Sequence, residues 1–243
     1  MKCLSLIFFL LSTNLLATTW VNSEVNDPFN QNAKCMVEEP ASSGSYIYQW
    51  PSKYDQVYWP LTTMRGIWYC QSSGYISLMG DFDGLTETEI NKIQGYLQEN
   101  KFKLTTVESK LKRLEIIYSF RDKNAEFDNR LKRILAYLYE EDGNTILANQ
   151  YRALALEEIL IALQGDLKDF NQLEYLYLAT NYHRQLGKIE KSDSYMLKLI
   201  ETIKNNSNDE LQGYKDYLSK LIEDSKYIKK GGVLNPTLPQ DDA

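Results

Sequence analysis

The sequence predicts a mainly helical α+β protein, with a small β-rich module at the front and a run of helical hairpins behind it. Three observations carry that reading. Residues 85–229 hold no proline and repeat apolar side chains at helical spacing. Residues 32–84 instead hold Cys35, Cys70, Pro40, Pro51, Pro60 and three of the four tryptophans, with short aromatic or β-branched runs between turn signals. Ahead of both, the stretch from Leu4 to Leu16 is apolar almost throughout, follows Lys2 and ends at Ala17, which is the layout of a secretory signal peptide.

Taken in chain order, residues 1–19 are expected to be cleaved. The apolar run is 13 residues long, whereas a bilayer span needs about 20. Residues 20–31 are polar and Asn-rich and read as a flexible lead-in. In the module, strands are expected at Ser45–Tyr48, Val57–Trp59, Gly66–Tyr69 and Tyr75–Leu78, and Pro51 and Pro60 keep them short. A helical domain spans 85–230. Thr86 with Glu89, and Thr105 with Glu108, form the pattern of capping boxes. Stripes such as Leu131, Ile134, Leu135 and Leu138, or Leu173, Leu176, Tyr177 and Thr180, mark buried faces. About seven helices follow from the breaks near Asn100, Asn124, Gly143, Gly165, Gly187 and Asn205–Asn208. The Gly/Pro/Asp-rich tail 231–243 reads as disordered.

A weak repeat lies inside the helical part. Gly143 and Gly187 each have a small residue seven positions before (Ala136, Thr180), an aromatic or histidine four before (Tyr139, His183) and a small residue five after (Ala148, Ser192). This pattern resembles the tetratricopeptide repeat, in which small residues allow close helix crossing and glycine makes the turn. The two glycines are 44 residues apart, longer than the roughly 34 of that repeat. A generic antiparallel bundle is the competing architecture.

Charge excludes some functions. Without Lys2 the chain has 26 basic and 33 acidic groups. An acidic chain lacks the basic face that phosphate backbones and anionic lipid surfaces require, so no nucleic-acid partner is expected, and no membrane span remains after cleavage. The single histidine, His183, sits at a core-repeat position and reads as a packed helix residue. No Gly-rich phosphate loop and no Gly-x-Ser-x-Gly motif is present. No catalytic or cofactor residue is therefore assigned.

The run Ser43–Pro60, with Gly66-Ile-Trp-Tyr-Cys70 and Gly80-Asp-Phe82, resembles a bacterial family of unknown function with an N-terminal zinc-ribbon-like cysteine module ahead of tetratricopeptide-like helices. The resemblance implies architecture and no activity. The cysteine pattern is degenerate here. Tetrahedral zinc takes Cys-x-x-Cys twice, whereas Cys35-Met-Val-Glu38 and Cys70-Gln-Ser-Ser73 keep only the first cysteine of each knuckle. One reading retains zinc on Cys35, Cys70 and Glu38. The other, favoured by export and by an even thiol count in the mature chain, is a Cys35–Cys70 disulfide.

The aromatic cluster around Trp50, Tyr54 and Trp59 has two readings as well: the core of a module short of aliphatic residues, or a surface that stacks on sugar rings. The expected function is that of an exported, periplasmic or extracellular, non-enzymatic protein whose helices present a groove to another protein or peptide. The alternative is a protein that binds or acts on cell-envelope glycan through the aromatic module.

Overall fold

The computed structural model describes residues 19–42 and 51–234. The expected signal segment up to residue 18, the strand expected over 45–48, Trp50 and the tail from 235 onward lie outside the described residues. Among the described residues, two small antiparallel sheets precede seven α-helices, a mainly α arrangement of the α+β class.

Strands β1 (Thr19–Asp27) and β2 (Asn30–Ser42) form a hairpin in which Val25 faces Cys35. Asp27 Oδ1 accepts the Phe29 N–H at 2.9 Å and closes the turn through Pro28. This corrects the expected flexible lead-in over 20–31. The inward row of β1 is Ser23, Val25 and Asp27. It has the period of a strand without being apolar, so hydropathy does not reveal it. The Asp-Pro dipeptide at 27–28 is the signal that points to the turn. In β2, Cys35 and Val37 point inward and Met36 points out, 59 % exposed.

Strands β3 (Ile67–Tyr69) and β4 (Ile76–Leu78) pair antiparallel, close to their expected places. Val57–Trp59 is not a strand: Leu61 N–H bonds back to Tyr58 O at 2.9 Å and turns the chain there.

The helices are α1 (Glu87–Glu99), α2 (Val107–Ser119), α3 (Ala125–Glu141), α4 (Thr145–Ala162), α5 (Asp169–Gln185), α6 (Ile189–Asn205) and α7 (Gln212–Ser225). The Thr86–Glu89 capping box starts α1. The second box sits one residue later than expected: Thr106 accepts from Ser109 N–H, and Ser109 Oγ accepts from Thr106 N–H. Glu108 instead pairs with Lys112 one turn on.

Helices α3 and α4 pack along each other, as do α5 and α6. Each pair is joined by three residues, which makes it an antiparallel hairpin. Gly143 (φ 81°) and Gly187 (φ 75°) take the left-handed conformation that ends the first helix of each pair. The repeat read in the sequence is realised side chain by side chain. Ala136, Ala148, Thr180 and Ser192 are all fully buried. Tyr139 stacks on Tyr151 at 5.5 Å, and His183 stacks on Tyr195 at 5.4 Å in the equivalent place.

One core runs across residue 84. Cys35, Trp68, Tyr75 and Phe82 belong to the same apolar cluster as Leu97, Leu114 and Leu135. At the other end, Leu234 is buried and Gly231 N–H donates to Gln185 O at 2.8 Å. Residues 231–234 are thus anchored at Gly231 and Leu234, in contrast to the disorder expected from 231.

Candidate functional site

The helices α3, α4, α5 and α7 share one face. It is filled by the chain itself. Residues 54–57 are buried there, and Asp55 is held most firmly. Arg152, fully buried on α4, donates from Nε to Asp55 Oδ1 at 2.9 Å and from Nη2 to Asp55 Oδ2 at 2.5 Å. Tyr182 donates its hydroxyl to Asp55 Oδ1 at 2.8 Å, and Arg152 Nη1 reaches Glu140 at 2.7 Å. Burial opposes the charge on Arg152, but Asp55 and Glu140 overcome it and hold the guanidinium protonated.

The backbone of the insert is bound as well. Arg133 Nη1 donates to Gln56 O at 3.1 Å while its Nη2 meets Glu174 at 3.1 Å, and Asn181 donates to Tyr54 O at 3.2 Å. Gln56 has a φ of 52°, a left-handed backbone uncommon outside glycine. Tyr214 donates to its side-chain oxygen at 2.9 Å.

Of the binding surface expected from Trp50, Trp59 and Tyr54, the structure takes away Tyr54. Tyr54 is 6 % exposed and donates its hydroxyl to Asp224 at 3.1 Å. Burial, then Asp224, raises its phenol pKa. Trp59 is half-buried with its ring 5.6 Å from that of Trp20. Trp50 lies outside the described residues. The core reading applies to Tyr54, and also to Trp68, Tyr75 and Phe82, which are buried, with Tyr75 and Phe82 4.9 Å apart.

Cys35 and Cys70 lie at disulfide distance, with Cα atoms 4.8 Å apart. Their buried neighbour is Asp27, whose Oδ2 lies 3.2 Å from Cys70 Sγ and accepts from Ser72 Oγ at 2.5 Å. Asp27, Cys35 and Cys70 are thus the acidic and sulfur groups gathered there. Glu38, the expected third zinc ligand, is elsewhere. It is three residues from Cys35 along a strand, hence on the opposite face, and it pairs with Arg65 at 3.5 Å. His183 is buried with neither ring nitrogen bonded, and burial, then Lys188 and Lys191, lowers its pKa to about 4.

Sequence reasoning missed a cavity of about 550 Å³ where the β module meets α1 and α2. Its wall carries the rings of Phe29, Tyr69 and Phe102. Gln71, Gln94 and Gln98 supply amides, and Ser72 and Ser73 hydroxyls. Lys101, Lys103 and Arg113 supply positive charge, and no carboxylate is among the lining residues. Gly74 (φ 81°) is required here: a Cβ would stand 2.8 Å from Arg113 Nη1. The cavity draws on residues from seven separate elements and loops, and no local spacing links them. Compared with known protein families, curated proteins and solved structures, the chain matches none.

Proposed function

We propose that this is an exported, non-enzymatic binding protein whose ligand enters the cavity between the β module and helices α1 and α2. One observation carries the reading: the cavity is open and lined by rings, amides and cations, whereas the face shared by α3, α4, α5 and α7 is covered by the buried residues 54–57. Aromatic faces and a few placed polar groups are what ligand pockets use. The helical hairpins then act as a tetratricopeptide-like frame that clamps the front module in place. Export is supported by the N-terminal apolar run and by the buried cysteine pair at disulfide distance.

Protein-observed NMR on the mature chain with fragments of envelope glycan tests the reading. Shift changes grouped on Tyr69, Gln98 and Phe102 are expected. Changes confined to other surfaces, or none, overturn it. A second reading rests on its own observation: Ile146 and Ile161 on α4 and Leu197 on α6 are 74 %, 70 % and 68 % exposed. Apolar side chains held in water at the second helix of both hairpins favour a protein partner there. Loss of a co-purifying partner on Ile161→Ser with Leu197→Ser supports that reading.

A further inference from the structure

Four arginines are buried among the described residues, and three of them meet carboxylates: Arg121 meets Asp81 and Glu89, Arg133 meets Glu174, and Arg152 meets Asp55 and Glu140. The fourth is Arg113, 2 % exposed in the cavity wall, and no carboxylate pairs with it among the described residues. Its donors reach only backbone carbonyls, Gly74 O at 3.2 Å, Asn100 O at 2.7 Å and Phe102 O at 3.5 Å, and its Nε has no partner. Phe102 covers it, ring centroid 4.3 Å from the guanidinium carbon. A buried charge without a counter-charge is costly, and in this chain that charge faces a cavity.

The surroundings add to it. Lys101 and Lys103 stand exposed on the rim, in the loop between α1 and α2. Asp27 sits behind Ser72, its Oδ2 taken by the Ser72 hydroxyl. The cavity is therefore a local positive field in a chain of net charge −6. An anion that enters neutralises the field, with the two lysines in reach and Arg113 as fixed charge behind them. The rest of the wall selects for more than charge. Gln71, Gln94 and Gln98 each offer a donor and an acceptor to hydroxyls, and Tyr69 and Phe102 offer apolar ring faces.

We propose that the cavity binds an acidic carbohydrate, a sugar chain carrying carboxylates. The proposal rests on the binding reading above and names the ligand class for the same site. Calorimetric titration of the mature chain tests it, with tetragalacturonate as probe, a neutral hexose tetrasaccharide as control and inorganic phosphate as a third arm. The acidic tetrasaccharide is expected to bind at least about tenfold tighter than the neutral one, and less tightly as salt rises. Lys101→Gln with Lys103→Gln, both exposed, is expected to weaken it at least about tenfold with the fold intact. Arg113→Lys is the companion variant, read only if its circular dichroism is unchanged. It is expected to weaken the acidic ligand while leaving the neutral one unaffected.

Equal affinity for both tetrasaccharides, or no effect of the lysine pair, overturns the assignment. So does phosphate binding as tightly as the tetrasaccharide, because the sugar then contributes nothing. Neutral fragments that still shift Tyr69 and Phe102 in the NMR experiment leave the binding reading standing while the charge assignment falls. Absence of any ligand at those residues removes both.

Discussion

Arg152 carries its charge at 0 % exposure, with Asp55 and Glu140 as its counter-charges. Taking away one partner of a buried pair leaves the other unpaired, at a cost of about 3–5 kcal/mol. Asp55→Asn keeps the shape and removes the charge, so it is expected to destabilise by that order in urea unfolding. A loss below about 1 kcal/mol would show that the insert is not held by this pair. His183 meets the same dry environment by staying neutral. An unfolded chain takes up the imidazole proton near 6.5, the folded one near 4. Neutral His183 therefore costs nothing above pH 6.5, and stability falls as pH drops through that window until the loss is complete below 4. His183→Phe fits the stack on Tyr195, just as Tyr139 fits the equivalent place on Tyr151. The variant is expected to lose about 3 kcal/mol less than the parent between pH 7 and pH 4. Parallel pH profiles for the two would refute the buried, neutral state.

At the scale of elements, helix caps and breaks were legible because their causes are local. Thr86, Asn100, Asn124, Gly143 and Gly187 mark helix ends in sequence and in structure. The second capping box was misread by one residue because Thr105 and Thr106 are equivalent on paper. What separates them is where the helix begins, and that is set by Leu111 and Leu114 reaching the core. Thr106→Ala is expected to cost about 1 kcal/mol and Thr105→Ala almost nothing in thermal unfolding. The reverse order would place the cap at Thr105. The β1–β2 hairpin was hidden for another reason. Its inward positions are filled by Ser23 and Asp27 as well as Val25, so pairing and turn geometry define it rather than apolar alternation. The cavity was less visible still. That Arg113 lacks a carboxylate is a fact about what surrounds it in space, and three similar arginines elsewhere in the same sequence have one.

Across the whole molecule, the cysteine pair and the continuous core make a joint prediction. Cys35 and Cys70 are 35 positions apart, and closing a loop of that length contributes about 3–4 kcal/mol in the chain-entropy model. A free-standing front module would spend that contribution on itself and unfold in its own step once the link was removed. Here Cys35, Trp68 and Phe82 share one apolar cluster with Leu114 and Leu135, and residues 54–57 are clamped between helices by Arg133 and Arg152. The effect should therefore be felt by the helices too. All four tryptophans lie before residue 69, so their fluorescence reports the front, and far-ultraviolet circular dichroism reports the helices. Cys35→Ala with Cys70→Ala is expected to move both signals to the same lower midpoint, by about 3–4 kcal/mol. If fluorescence were to change at lower denaturant than helicity, the front would be an independent unit. The helical frame would then have no hold on the cavity walls that the front supplies.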